Sequence, residues 1–174
     1  MSDSFLAYIQ RVELLAFFSG YPLLYAIIVL SFGNKSKNKF FDKLPSLLPF
    51  AYALVGTLYL GLQFKNLYIL HATAYTKQLM LHPYLVAWGL LSLLFWIPAI
   101  SKHKQLSLLH SLVFFFFLVK DIISQVAGSI PDIEMLNNDM RVFTVSLLMN
   151  TGAFIIIAML FFIFPFAKKN QQNK

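Results

Sequence analysis

Apolar residues fall into blocks of about 20 along the chain, the length that crosses a hydrocarbon core of about 30 Å. Backbone groups in lipid must be bonded within their own segment, so we expect each block to be a helix. The fold class that this pattern predicts is all-α: one transmembrane domain over residues 1–174, built as a bundle of five helices. The predicted spans cover residues 12–32, 47–64, 83–100, 106–127 and 142–166.

Residues 65–82 differ from these blocks because lysines, histidines and threonines are interspersed among the leucines and tyrosines. The segment is too polar to cross a bilayer. An interfacial helix that lies on the membrane and a simple extended loop are equally compatible with this pattern.

Composition supports a membrane location, since 59% of the residues are hydrophobic and only 12% are charged, against about 25% charged in soluble domains. The chain has no cysteine, which excludes disulfides and thiolate chemistry. The net charge of +7 could indicate nucleic-acid binding. We do not expect a nucleic-acid partner, because the lysines cluster at the ends of apolar blocks, where they determine topology.

The polar connections predict the orientation of the bundle. Nine of the 14 basic residues lie in three segments, at residues 33–43, 101–104 and 167–174, and five crossings place all three on one side. Lys and Arg accumulate on the cytoplasmic side. We therefore expect the N-terminus outside and the C-terminus in the cytoplasm. Abundant Phe, Lys, Asn and Ile suggest an AT-rich bacterial genome, and hence an inner-membrane, multi-pass protein.

Two opposite charges, Lys120 and Asp121, follow the phenylalanine run of the fourth span. Residues three and four apart share one face of a helix, which puts Asp121 in register with Ser107, Ser111 and Gln125 and turns Lys120 away. Lys120 can extend its stem to the head groups. A short carboxylate at that depth needs a partner, water or a proton.

Other polar side chains are expected at the same height, in the outer half of the bundle. Arg11 begins the first span and Arg141 precedes the fifth. The candidate outer site comprises Glu13, Gln63, Lys120, Asp121, Gln125, Arg141 and Asn150. Such a set could form a hydrated pocket for a ligand or ion, or could tie the helices together through hydrogen bonds. We favour the structural interpretation.

A smaller polar set, His110 with Ser107 and Ser111, is expected nearer the cytoplasm. Haem held across a bundle usually needs axial ligands at similar depth on facing helices. His110 has no histidine opposite it, since His71 and His82 lie in residues 65–82 and His103 in a turn. We expect an interhelical histidine, no metal site and no cofactor.

The first span contains Ser19-Gly20-Tyr21-Pro22, and Pro22 cannot donate a backbone hydrogen bond to the preceding turn. A kink or local unwinding is therefore predicted there. Broken helices bind ions in some transporters, but proline kinks are also common in helices without such a role.

No catalytic motif is present, so we expect no enzymatic activity. The leading hypothesis is an accessory or assembly subunit of a larger membrane complex, in contact with the lipid bilayer and with other membrane proteins or further copies of itself. The alternative is a small homo-oligomeric transporter or channel with an outward-facing polar pocket centred on Asp121. A membrane enzyme acting on lipids is a third, weaker hypothesis, because paired acidic or histidine residues at one interface are missing.

Overall fold

The computed structural model describes residues 3–32, 43–69, 83–127 and 133–171. Every element in these ranges is a helix, which confirms the all-α prediction for the described part of the chain. In chain order they are α1 (Asp3–Phe18), α2 (Tyr21–Phe32), α3 (Leu44–Ile69), α4 (Pro83–Leu90), a 3-10 helix (Leu91–Trp96), α5 (Pro98–Ser101), α6 (Lys104–Val126) and α7 (Ile133–Gln171).

Four helical stretches among the described residues are long and apolar enough to cross a membrane. They are Arg11–Phe32 (α1 with α2), Leu44–Tyr68, Lys104–Val126 and Ile133–Phe162. Each contains most or all of a span predicted from the sequence, so four of the five predicted spans correspond to helices of membrane length.

The third predicted span, 83–100, is not one continuous α-helix. Its apolar part, Pro83–Trp96, has eight α-helical residues followed by six in a 3-10 helix, which together rise about 24 Å. Ser92 donates its hydroxyl to Gly89 O at 2.6 Å, an alternative to the backbone ladder of an α-helix. Ile97 is extended, as residues before a proline usually are.

This broken segment lies antiparallel along α3. Its successive contacts pair Gly89 with Tyr59, Ser92 with Gly56, and Phe95 with Tyr52. Gly56 allows the closest of these, because a Cβ there would overlap the Ser92 side chain. Two segments that touch over this whole length share the same depth in the bundle.

The predicted break in the first span occurs between α1 and α2, at Ser19 and Gly20. Ser19 donates its hydroxyl to Leu15 O at 2.6 Å, and the Gly20 N–H donates to Ser146 Oγ of α7 at 2.8 Å. A Cβ at Gly20 would lie 2.6 Å from Leu147 Cα. Only glycine lets the two backbones approach this closely.

Aromatic side chains form the centre of the bundle. Phe18, Tyr21, Tyr52 and Tyr59 are fully buried. The ring of Phe18 stacks on Phe114 of α6 at 4.9 Å and contacts Tyr52 and Tyr59 edge-on at 5.6 and 5.4 Å. Such pairs stabilise a packed core beyond the area that they bury.

The outward faces of α2, α6 and α7 remain strongly apolar. Their large exposed side chains include Leu23, Ile27, Leu30, Leu109, Phe116, Ile123, Leu148, Ile156 and Met159. A surface of this kind is suited to lipid or to another membrane helix.

Two helices extend beyond the spans predicted from the sequence. Residues 133–140, which precede the predicted fifth span, form the first two turns of α7, where Glu134 near the helix N-terminus interacts favourably with the helix dipole. Residues 65–69, predicted as an interfacial segment or loop, complete α3, and residues 70–82 lie outside the described part. The apolar pattern predicts the part of a helix that lies in lipid, but the helix itself can continue beyond that part.

Candidate functional site

Asp121, the centre of the predicted outer site, is paired with Arg11. The Nη2 atom of Arg11 on α1 donates to Asp121 Oδ1 on α6 at 2.6 Å. The two side chains are 40% and 24% exposed, so the pair sits at the edge of the bundle rather than in its core. The carboxylate that needed a partner therefore has a charged one, and the bond ties α1 to α6.

Lys120, the neighbour of Asp121, is exposed. It forms no ion pair with any residue that the structure describes. Of these two neighbouring charges, Asp121 is therefore paired with Arg11, whereas Lys120 is exposed.

Gln125, one turn beyond Asp121, donates its Nε2–H to Asp139 Oδ2 on α7 at 2.8 Å. Asp139 is only 5% exposed, and sequence reasoning missed it. The signal was present, since Asp139, Ser146 and Asn150 follow helical spacing, but a helix starting at residue 142 excluded the aspartate. This contact ties α6 to α7.

Glu13 lies beside the end of α3. Asn66 donates its Nδ2–H to Glu13 Oε1 at 3.2 Å, and the buried Gln63 side chain lies next to the same carboxylate. Asn66 was not among the predicted site residues. These three side chains tie α1 to α3.

Asn150 lies at the break between α1 and α2. Its Nδ2 donates to Phe17 O and to Ser146 O, both at 2.8 Å. Phe17 is one of the last residues of α1, where backbone carbonyls lose their intrahelical partners. Asn150 supplies one such partner from α7 and connects it to the end of α1.

Arg141 is exposed and does not join the other members of the set. It lines an open recess of about 520 Å³ with Tyr8, Glu134 and Asn138 among others. There the Nδ2–H of Asn138 donates to the Tyr8 hydroxyl at 2.9 Å. Arg141 thus belongs to the surface between the N-terminal turns of α1 and α7.

The predicted outer site therefore consists of separate polar contacts between pairs of helices. A cleft of about 360 Å³ between α1, α4 and α6 is lined by Arg11 and Lys120. Asp121, Glu13 and Gln125 are not among its lining residues. Of the seven predicted outer-site residues, Lys120 lines this cleft and Arg141 lines the recess beside Tyr8.

The inner set centres on His110, whose hydrogen bonds fix its tautomer. Its Nε2 lies 2.8 Å from Trp88 O, which can only accept, so Nε2 carries the proton. Nδ1 then accepts from the Tyr52 hydroxyl at 2.7 Å. The Trp88 indole stacks on the imidazole at 5.0 Å, with 6° between the rings.

Ser107 and Ser111, predicted beside His110, are also buried. Ser107 donates its hydroxyl to Lys104 O at 2.8 Å, so it accepts a hydrogen bond from Tyr21 OH at 2.8 Å. Ser111 donates to Leu108 O at 2.8 Å. Sequence reasoning missed Tyr21, Tyr52 and Trp88, since aromatic residues in a membrane span carry no signal of polar pairing.

Both ring nitrogens of His110 are engaged, so neither offers a lone pair to haem iron in this arrangement. His103 is exposed, and His71 and His82 lie outside the described residues. Among residues 3–32, 43–69, 83–127 and 133–171, no group of three His, Asp or Glu side chains could hold a metal ion. The absence of a cofactor stays a prediction.

Comparison with known proteins finds no matching family model, no similar curated protein and no similar solved structure.

Proposed function

We propose that this protein is a non-enzymatic accessory or assembly subunit of a larger membrane complex, acting as a helical scaffold in a bacterial inner membrane. The observation that carries the proposal is that polar side chains of the predicted outer site bond to neighbouring helices. Arg11 with Asp121, Gln125 with Asp139, and Asn150 with Phe17 O each connect two helices. Bonds of this kind hold a bundle together.

The outer surface supports the same proposal. The exposed apolar side chains on α2, α6 and α7 are not covered by any of the residues that the structure describes. Lipid tails are as apolar as leucine, so close association of helices in a membrane depends on packing against a complementary surface. Three separate faces offer such a surface.

Photo-crosslinking in native membranes tests this proposal. A photoreactive residue replaces Leu30 on α2, Phe116 on α6 or Leu148 on α7, all strongly exposed. A subunit interface predicts one discrete protein adduct from one face and lipid adducts from the others, so each position controls for the rest. Lipid adducts from all three faces, with the chain purified as a monomer in mild detergent, would contradict the proposal.

Transport or channel activity through a pocket centred on Asp121 is the alternative function. It predicts solute flux across liposomes that contain only this protein, and a loss of that flux in Asp121→Asn. The ion pair with Arg11 weighs against it, because a carboxylate held at 2.6 Å by a guanidinium is engaged by that cation. A flux that the substitution abolishes would favour transport over the scaffold role.

We also propose five crossings, with the N-terminus outside and the C-terminus in the cytoplasm. The antiparallel contact of Pro83–Trp96 with α3 supports the fifth crossing, because this segment accompanies α3 from Tyr59 to Phe50. Its rise of about 24 Å approaches the thickness of a hydrocarbon core, and local bilayer thinning accommodates such a mismatch.

Cysteine labelling tests this topology, and the native chain contributes no background because it has no cysteine. Single cysteines replace the exposed residues Lys43, Lys65, Lys102 and Glu134 in turn. An impermeant maleimide added outside is expected to label positions 65 and 134 in intact cells, and positions 43 and 102 only after lysis. Labelling of position 102 together with position 65 would show that the third segment does not cross.

A further inference from the structure

The cleft between α1, α4 and α6 has a volume of about 360 Å³, within the range of small-molecule sites. Its floor is apolar. Leu14, Leu15 and Phe114 are at most 3% exposed, and Leu85 and Phe117 complete the lining. A polar solute would find no hydrogen-bonding group on this floor, whereas a hydrocarbon chain fits it.

The upper end of the cleft carries positive charge. Arg11 and Lys120 line it, with the rings of Tyr8 and Tyr84 beside them. The bond to Asp121 uses one of the five N–H donors of the Arg11 guanidinium. Lys120 has no ion-pair partner among the described side chains, and both cations line the cleft, whereas Asp121 does not.

The cations and the apolar side chains that line the cleft lie at different levels along the helix axes. Arg11 is the first residue of the membrane-length stretch Arg11–Phe32, whereas Leu14 and Leu15 follow about one turn deeper. On α6, Phe117 and Phe114 lie about 4.5 and 9 Å below Lys120 by helical rise. The cleft thus presents cations at its mouth and apolar side chains below, the order in which a phospholipid presents its phosphate and its acyl chain.

We propose that this cleft binds one acidic phospholipid of the surrounding bilayer. Its phosphate lies between Lys120 and Arg11, and one acyl chain lies on the apolar floor. The head group determines which lipid is preferred, because every phospholipid of the bilayer has an acyl chain that fits the apolar floor. The site does not depend on the proposed subunit role, since a lone chain and a complexed chain carry the same cleft.

Native mass spectrometry of the full-length protein, released from nanodiscs with equal amounts of phosphatidylglycerol and phosphatidylcholine, tests the site. We expect one phosphatidylglycerol per chain, retained roughly fivefold over phosphatidylcholine, the preference that one surface cation provides. Lys120→Gln is expected to abolish the preference. Leu85→Trp, which fills the floor, is expected to reduce retention of both lipids.

Lys65→Gln is the matched control. Lys65 is exposed and lies next to Asn66, whose contact with Glu13 places it at the same end of the bundle, but it does not line the cleft. The Lys65→Gln variant should keep the full preference for phosphatidylglycerol over phosphatidylcholine. Equal retention of the two lipids by the unaltered protein, an equal loss in both lysine variants, or displacement of the lipid by inorganic phosphate would each overturn the proposal.

Discussion

Replacing Gly20 by alanine tests how the broken first span is held against α7. Gly20 is the residue whose N–H donates to Ser146 Oγ at 2.8 Å, and it sits against the backbone of Leu147. The added Cβ would lie 2.6 Å from Leu147 Cα and 2.7 Å from Ser146 C. These are backbone atoms in the middle of a long helix, so a side-chain rotation cannot relieve the overlap.

The magnitude follows from the displacement that the clash requires. Ordinary contact begins near 3.4 Å, so clearing Leu147 Cα alone requires the two helices to separate by at least about 0.8 Å (3.4 − 2.6), and Leu147 N lies closer still. Overpacking of this kind costs about 1–3 kcal/mol. The same movement stretches the bond to Ser146 past hydrogen-bonding distance and removes about 0.5–1.5 kcal/mol. Together these give a loss of about 3 kcal/mol in the free energy of unfolding.

Thermal unfolding in mild detergent measures this loss. A loss of about 3 kcal/mol corresponds to a fall of roughly 6–12 °C in Tm for a chain of this size. Gly152→Ala, in the interior of the same α7, is the control, because a Cβ there meets nothing within 4 Å. It is expected to leave Tm unchanged or to raise it, as alanine favours a helix. Equal Tm values for the two variants would refute the close approach at Gly20.

The remaining predictions concern the polar ties. Tyr52→Phe leaves Nδ1 of His110 without its donor and is expected to cost about 1–3 kcal/mol in chemical denaturation, whereas a loss below 0.5 kcal/mol would argue against the assigned tautomer. His110→Ala removes the ring that stacks on Trp88, so tryptophan emission should shift to longer wavelength in a chain without the other tryptophan; unchanged emission would contradict the stack. A double-mutant cycle with Arg11→Ala and Asp121→Ala is expected to give a coupling energy of about 0.5–2 kcal/mol, and additive losses would show that the pair is not formed in the membrane.

The helices and the break in the first span could be predicted because each depends on local chemistry. Blocks of apolar residues require helices in lipid, and Pro22 interrupts a hydrogen-bond ladder wherever the chain folds. The sequence spacing also gave the face of α6 that carries Ser107 and Asp121. Local chemistry therefore predicts elements and faces.

The partners across helices could not be predicted in the same way. Spacing within one helix tells which residues share a face, but the register between two helices depends on how side chains fit together. The contact of Ser92 with Gly56 depends on that register, and so does the bond of Asn150 to Phe17 O. Asp139 was missed for a different reason, because a polar first turn resembles a loop when only hydropathy is considered.

The bond between Arg11 and Asp121 has a consequence for the order of synthesis. The two residues are 110 positions apart, so the arginine is translated long before its aspartate exists. At about 5–20 residues per second, the interval is roughly 5–20 s. During that time Arg11 lacks the carboxylate with which it pairs, and the bond between α1 and α6 can form only after residue 121 has been made. A chain truncated before position 121 lacks this bond between α1 and α6, and we expect it to be more susceptible to proteases than the full-length chain.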